Sequence, residues 1–543
     1  MTTTLHVTTG DGGNEFNVTE RDATLPLSTL LAQRGLPLNT RCGGRGLCAG
    51  CEVEVLTGEL LPLNETSAAS MSAPRLIKAC QHRLGAALEV CLAIPPRSQL
   101  THTPAVVAEF QLGASWAQDP LGNGARYGAA VDIGTTTVAL LLCDLATGVV
   151  LAQASAFNAQ LRDGEDVLTR IQACSTRPDA LARLQRAVAT ETIQPLLAEA
   201  ASRAHVSLAD IDVMTVAANT TMLHLLAGID PTPLGVHPFT PVFLDHRVYA
   251  PAALGLAFGS QAAEVHLLPG PAAYVGADLA AGLVATGMIY EDGPSLLVDV
   301  GTNGEIIAKL GDRLVGCATA AGPAFEGAGL SSGTRGVAGA IERVQLTTTP
   351  FRADLGLIGG GARPLGLCGS AYIDLLWEGR RAGILQPNGR FSAEFCASAG
   401  DVVQSDEYGR KLLLHAHGLS GSIWISEVDI ARLLQAKAAV AAGITTLLDL
   451  LGLQPRDIRT VHLAGGFGLH LSLPHAIGCG LLPGFTPEQI KVDGNTSLGG
   501  AFLALNDRSL LAEMSAACRA MESIELNLQP GFEDAYIDHL ALP

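Results

Sequence analysis

Two segments of this chain are copies of one another. Ala129-Ala-Val-Asp-Ile-Gly-Thr-Thr-Thr-Val-Ala-Leu-Leu-Leu142 and Leu296-Leu-Val-Asp-Val-Gly-Thr-Asn-Gly-Glu-Ile-Ile-Ala-Lys309 each run an apolar strand into Asp-x-Gly-Thr and out into a second strand. The second copy starts 167 residues after the first. That spacing is about one domain, so it marks duplication of a whole fold rather than a solenoid. Each copy reads as a β-hairpin whose turn approaches an anion. Gly134 and Gly301 let the backbone come close, while Thr135, Thr136, Thr302 and Asn303 add hydroxyl and amide donors. Asp132 and Asp299 are suited to Mg²⁺ held mostly through waters, because that ion dehydrates reluctantly. A single Asp-x-Gly-Thr is most simply an ordinary hairpin turn. Two copies at domain spacing, both on apolar strands, favour phosphate binding, and neither is a Walker loop.

A third element follows later. Thr460-Val-His-Leu-Ala-Gly465-Gly466-Phe-Gly468 reads as a strand running into a glycine turn and then a helical segment around residues 471–477. A turn of Gly465, Gly466 and Gly468 can lie under an adenosine and its α-phosphate, where a side chain would collide. Alone it is also an ordinary strand-to-helix turn; behind two phosphate hairpins the nucleotide reading is the better one.

The N-terminal part carries different chemistry. Cys42, Cys48, Cys51 and Cys80 form C-x5-C-x2-C-x28-C. Three thiolates on one tight loop and a fourth from a distant segment suit a [2Fe–2S] cluster, one residue longer than the plant-type spacing. The interspersed Gly43, Gly44, Gly46 and Gly50 can take positive φ, letting the loop curl and point N–H groups at the cluster sulfurs. Structural zinc sites usually show two short Cys or His pairs, and only Cys48 and Cys51 make one. A disulfide framework suits small secreted chains, not one of 543 residues without a secretory start. The flanks read as hairpin, helix, cluster loop, strand and closing strand, the order of a β-grasp ferredoxin over residues 1–95.

Bulk properties narrow the class. The net charge of −18 argues against a nucleic-acid or anionic-membrane partner, since both need a basic surface. No run of 18 or more residues is free of both charge and helix breakers, as a membrane span demands; the apolar stretch 265–290 is broken by Pro269, Pro271 and Asp278 and reads as loop plus buried helix. The remaining eight cysteines are scattered, which suits a reducing, cytoplasmic setting. Residues 96–126, rich in Pro and Gly, read as a linker. It either lets the redox domain swing or packs on the surface, with Phe110 and Trp116 among its candidate anchors. The expected division is a ferredoxin over 1–95, the linker over 96–126, one lobe over 127–290 and a second over 291–543: an α/β and α+β multidomain chain.

The paired hairpins and the Ala-Gly-Gly-Phe-Gly turn resemble the actin, sugar-kinase and heat-shock-chaperone ATPases, a fold of two RNase-H-like lobes with ATP in the cleft. Fused behind a [2Fe–2S] ferredoxin, the whole chain resembles the reductive activators of corrinoid-dependent proteins. Supporting stretches include Val216-Ala-Ala-Asn-Thr-Thr-Met, Ala321-Gly-Pro-Ala-Phe-Glu326, Leu365-Gly-Leu-Cys368-Gly-Ser370 and Asn495-Thr-Ser-Leu-Gly-Gly-Ala.

That resemblance implies an ATP-dependent activator that returns one electron to an inactive Co(II) corrinoid methyl carrier, restoring Co(I). It implies a [2Fe–2S] cluster on Cys42, Cys48, Cys51 and Cys80, together with ATP and Mg²⁺. A first phosphate hairpin would comprise Asp132, Gly134, Thr135, Thr136 and Thr137, and a second Asp299, Gly301, Thr302, Asn303 and Gly304. Glu305 or Asp299 would position the attacking water. Ser370 and Glu326 are candidates for contact with the corrinoid protein, or simply loop structure. An upstream low-potential electron donor and a homodimer through the ATPase region are also implied. Rival functions are an ATP-driven activator of another low-potential enzyme, and a plain ferredoxin carrying a regulatory nucleotide-binding module.

The joining of cluster and ATPase has an energetic sense. A plant-type [2Fe–2S] centre sits near about −400 mV, on the weak side for reducing Co(II). Conformational coupling of about 1–3 kcal/mol shifts a one-electron step by roughly 40–130 mV.

Overall fold

Alternation builds the N-terminal sheet. Leu5 and Val7 of β1 (Thr3–Thr9), Val53 and Val55 of β3 (Glu52–Thr57), and Val90 and Leu92 of β7 (Glu89–Ala93) are buried on one face. With β2 (Gly12–Val18) and β5 (Arg75–Lys78) they form a sheet in the order β2-β1-β7-β3-β5, parallel only between β1 and β7. β4 (Leu60–Pro62) and β6 (His82–Leu84) make a separate ribbon. The helix Leu27–Gln33 buries Leu27, Leu30 and Leu31, a helical i, i+3, i+4 stripe, and the chain leaves it through Gly35 at φ +81°. The hairpin, helix and closing strand expected of a β-grasp ferredoxin are all present.

The structure is a computed structural model. It describes residues 3–9, 12–38, 46, 50–64, 75–95, 98–99, 109–164, 166–301, 303–327, 329–360, 364–406, 409–416, 422–466 and 468–543. It divides into two compact units, Met1–His102 with Glu326–Leu433, and Thr103–Phe325 with Leu434–Pro543.

The second unit holds two six-stranded sheets of related topology. The first contains β8 (Tyr127–Ile133), β9 (Thr137–Asp144), β10 (Val149–Phe157), β11 (Ile211–Ala218), β12 (Arg247–Tyr249) and β13 (Glu264–Leu267), in the order β10-β9-β8-β11-β13-β12. β8, β9 and β10 meander antiparallel, and β11 and β13 add in parallel. The other starts with β14 (Ser295–Val300), β15 (Gly304–Leu310) and β16 (Arg313–Thr319), again an antiparallel meander. Between its halves the chain builds, in the first unit, the hairpin β17 (Ile341–Thr348)–β18 (Phe351–Leu357). A three-stranded sheet follows there, made of β19 (Val403–Asp406), β20 (Gly409–His415) and β21 (Ile423–Ser426). β22 (Thr460–Ala464), parallel to β14, and β23 (Ile490–Gly494), parallel to β22, then complete the second sheet. β24 (Glu522–Ser523) adds at the far edge. Both sheets thus place the Asp-x-Gly-Thr strand centrally, between its own hairpin partner and a parallel strand from far along the chain. This repeated topology is the RNase-H-like duplication expected from the repeat.

Two helices tie the sheets together. Ala277–Thr286, after β13, and Thr496–Asn506, after β23, are both buried along their lengths. They touch through small residues: a Cβ on Gly500 would lie 2.2 Å from the Ala281 carbonyl oxygen, and one on Gly282 would lie 2.9 Å from Thr496 Oγ1. Leu498, Ala501, Phe502 and Leu505 join the core of the first sheet although they arrive late in sequence. The longest helix, Glu427–Leu451, has the length and apolarity of a membrane span, but most of it is buried inside the protein.

Candidate functional site

The first hairpin is built to hold its turn rigidly. Ile133 pairs with Val138, leaving residues 134–136 as the turn between β8 and Thr137, the first residue of β9. The Gly134 N–H donates to the Thr137 carbonyl at 2.9 Å, and a Cβ on Gly134 would sit 2.6 Å from that same oxygen, so only glycine fits. Asn158 Nδ2 donates to the Gly134 carbonyl at 3.0 Å. Thr135 and Thr136 are buried. Behind them lies Arg170, fully buried, whose Nη2 donates to the Thr135 carbonyl at 2.5 Å, Nη1 to Gln160 Oε1 at 2.8 Å and Nε to the Gly164 carbonyl at 3.0 Å. Asn219, which caps the helix Thr220–Leu226, donates Nδ2 to Thr135 Oγ1 at 3.2 Å.

In the second hairpin Val300 pairs with Gly304, and the Gly301 N–H donates to the Asn303 carbonyl at 3.0 Å. A Cβ on Gly304 would meet Thr319 Oγ1 at 2.5 Å. Among the described residues Gly301 has no such neighbour, the nearest atom to a Cβ there being the Asn303 carbonyl oxygen at 3.7 Å.

The glycine turn meets this hairpin directly. Asp299 is in register with Ala464, and Gly465 follows at φ +91°, with room for a Cβ blocked 2.9 Å from Asp299 Oδ1 and Val300 O. A Cβ on Gly466 would meet none of the described residues within 4 Å. Gly468 begins a short 3₁₀ turn and packs over Leu463.

Four carboxylates converge here. Asp132 accepts from Ser497 Oγ at 2.7 Å and from Asn495 Nδ2 at 2.9 Å. Burial raises its pKa, while those two hydrogen bonds pull the other way. Burial raises Asp299 to about 7, helped by Asp278 and Asp132. Asp278, second residue of the helix Ala277–Thr286, is raised to about 7 by burial, and Asp132 adds to the rise. Glu305 is raised well above the usual carboxylate range by burial, Asp278 and Asp299. With Glu305 buried and Asp132, Asp278 and Asp299 half-buried, this set of mutually repelling carboxylates stores unfavourable charge that a divalent cation relieves.

Asp278, Arg170 and the clamp of Asn495 and Ser497 on Asp132 are site residues that the motifs alone do not assign. The repeated topology offers a signal for two of them. Asp278 and Ser497 occupy like places, each second in the helix that follows the outer parallel strand of its sheet, β13 beside β11 or β23 beside β22.

In the ferredoxin domain Cys51 and Cys80 are both buried. The Ala79 N–H donates to the Cys51 carbonyl at 3.0 Å, and Glu52 is in register with Lys78, so the two cysteine segments lie side by side. Lys78 Nζ donates to the Gly46 carbonyl at 2.6 Å, tying the cysteine loop to the same strand, and Gly46 takes φ +75°. Cys42, Cys48 and Thr302 lie outside the described residues. Ser370, at the start of the helix Gly369–Arg381, donates to the Glu342 carbonyl at 2.9 Å and lies 3.3 Å from Cys368 Sγ. Glu326 ends the short 3₁₀ segment Gly322–Glu326.

A duplicated RNase-H-like pair with two Asp-x-Gly-Thr turns and a glycine turn around a cluster of carboxylates defines a nucleotide-binding protein of the actin and sugar-kinase class, here following a ferredoxin domain. Three families match in succession: a 2Fe-2S iron-sulfur cluster binding domain over residues 10–85, the RACo middle region over 127–291, and the C-terminal domain of RACo, the ASKHA domain, over 293–543. The corrinoid activation enzyme RamQ of Eubacterium limosum is 31% identical over 418 residues, 76% of this chain and 69% of that protein. The [Co(II) methylated amine-specific corrinoid protein] reductase of Methanosarcina barkeri is 25% identical over 72% of this chain and 71% of its own. A solved structure described as a reductive activator for corrinoid, iron-sulfur protein matches with a TM-score of 0.71 and 29% identity, covering 99% of this chain and 98% of that one. The chain belongs to the family of reductive activators of corrinoid proteins.

Proposed function

We propose that this protein is an ATP-dependent reductive activator, passing one electron from a [2Fe–2S] cluster to a corrinoid methyl carrier protein stalled as Co(II) and restoring Co(I). The observation that carries the reading is the end-to-end match to a reductive activator, ferredoxin and ATPase together. Cys42, Cys48, Cys51 and Cys80 would hold the cluster, which supplies a one-electron carrier. Their all-thiol donor set fits it, and the paired segments at Cys51 and Cys80 support it.

The nucleotide is assigned to the two hairpin turns and the glycine turn. Residues 134–137 and 301–304 offer donors to phosphate oxygens, and in the turn of Gly465, Gly466 and Gly468, which Gly465 packs against Asp299, Gly466 has space free of the described residues. Mg²⁺ is assigned to the carboxylate group of Asp132, Asp278, Asp299 and Glu305. Among the described residues no group of three or more His, Cys, Asp or Glu side chains is arranged to enclose a metal ion. Mg²⁺ held mostly through waters and phosphate oxygens needs no closed protein cage. Asp299 or Glu305 orients the attacking water. The domain limits are proposed as 1–95, 96–126, 127–290 and 291–543. The protein is proposed to act in the cytoplasm, off the membrane, as a homodimer supplied by a low-potential donor. Ser370 and Glu326 remain the proposed contacts with the corrinoid protein.

The deciding experiment mixes the reduced protein with candidate Co(II) carrier proteins, with and without Mg-ATP. The Co(I) absorption band should appear with nucleotide. Equal rate and extent without nucleotide would defeat the reading.

A further inference from the structure

Residues 109–113, the described stretch that leads from the ferredoxin side into the ATPase, are woven into the supports of the carboxylate cluster. Asn495 uses its side chain to hold Asp132 and its own N–H to donate to the Glu109 carbonyl at 2.8 Å. The Gln111 N–H donates to the Asp493 carbonyl at 2.9 Å, and Phe110 bridges to Gly494. Asp493 in turn lies 2.6 Å from Nδ1 of the buried His462, in the strand that ends at the Gly465 turn. The Gly113 N–H donates at 2.8 Å to the Ala285 carbonyl, near the end of the helix that starts beside Asp278.

This strap has almost no slack. A Cβ on Gly494, itself at φ +73°, would sit 2.4 Å from the Glu109 carbonyl oxygen, and one on Gly113 would sit 1.9 Å from that of Thr286. One on Gly499 would press the Phe110 ring at 3.1 Å. The Phe110 ring also packs on Phe502, with centroids 6.0 Å apart. The strap therefore cannot shift without moving residues 493–495 or the end of the helix Ala277–Thr286, and the reverse holds too.

Resting on the nucleotide assignment above, we infer that residues 109–113 are a nucleotide-responsive anchor for the tether of the redox domain. Mg-nucleotide at Asp132, Asp278 and the Gly465 turn fixes Asn495, the helix and the His462–Asp493 pair together. All three grip the strap, so its fluctuations fall as the site fills. The coupling is reciprocal: loosening the strap weakens nucleotide binding. The point at which the tether leaves the ATPase is thereby set by site occupancy.

Hydrogen exchange on the full-length protein, with and without Mg-AMPPNP, tests this. Two peptides matter, one covering residues 109–114 and one covering the first hairpin at 132–138. Nucleotide should slow exchange in both, the strap by about tenfold. At saturating Mg-AMPPNP, Gly113→Ala, or the milder Phe110→Ala should the first not fold, should retain protection of the hairpin and lose that of the strap, and should need more nucleotide to saturate. Protection of the wild-type hairpin with an unchanged strap overturns the anchor and leaves the nucleotide site standing. No protection in either peptide overturns the nucleotide assignment and the anchor with it.

Discussion

Asn495 donates its side-chain amide to Asp132 at 2.9 Å across 363 positions of sequence, fastening the C-terminal segment to the first phosphate hairpin. Ser497 grips the other carboxylate oxygen at 2.7 Å. Asn495 also caps its helix through the Leu498 N–H, so replacing it would confuse two effects. Ser497→Ala isolates one. Losing a hydrogen bond to a charged group costs about 1.5–3 kcal/mol. Mg-ADP affinity by calorimetry should therefore fall by roughly 10- to 100-fold, with the visible spectrum of the cluster unchanged.

Arg170 is a buried cation serving the backbone of the first turn. Arg170→Met keeps the aliphatic stem but leaves the Thr135 and Gly164 carbonyls without these donors, while Gln160 Oε1 keeps its bond from Asn158 Nδ2 at 3.2 Å. Unsatisfied buried acceptors make a loss of about 2–4 kcal/mol the expected result, read by urea denaturation. Unaltered stability would show that water replaces the guanidinium.

These two cases show where the sequence stops speaking. Asp132, Asp299 and Gly465 announce themselves because strand, turn and donors sit within a few contiguous residues. The ferredoxin order is legible for the same reason, its apolar alternation and its Cys spacing being local. Arg170 is not, because nothing in a helix sequence says that an arginine faces inward. Asp278 reads as an interruption of an apolar stretch until the fold brings its helix against the second sheet. The grouping of residues 326–433 with the N-terminal unit depends on tertiary packing that no local period encodes.

The carboxylate cluster predicts an inverted pH response. Asp278 and Asp299 rise from an ordinary value of 3.8 to about 7 in the folded chain, chiefly through burial. The folded state then binds more protons than the unfolded one between about pH 4 and 7, so their contribution to stability is present at low pH and lost as pH rises through that window. Without nucleotide, the melting temperature should be lower at pH 8 than at pH 6. Asp278→Asn should flatten that difference. Mg²⁺ with nucleotide should stabilise more at pH 8, where protons no longer compete for the carboxylates.

Cys80→Ser removes one thiolate from the donor set while leaving the ATPase unit untouched. Visible absorption and iron content of the purified protein should drop, and Co(II) reduction should stop, with Mg-ADP affinity within about twofold of the parent. Retention of a full cluster spectrum would place the fourth ligand elsewhere.

Gly465 and Gly466 are adjacent, yet the structure assigns them opposite sensitivities. Gly465 needs glycine within the chain: its φ is +91° and its Cβ position is blocked by Asp299 Oδ1 and Val300 O. Gly465→Ala should therefore lower stability by at least about 1–2 kcal/mol, the cost of a left-handed conformation, even without nucleotide. Among the described residues Gly466 meets nothing within 4 Å, so Gly466→Ala should fold and melt like the parent. If the open space beside it is where the nucleotide lies, that silent methyl should still weaken Mg-ADP binding by about tenfold or more. Parallel melting curves and titrations of the two variants separate a glycine kept for the chain from one kept for the ligand. Unimpaired binding by Gly466→Ala would move the nucleotide away from this turn.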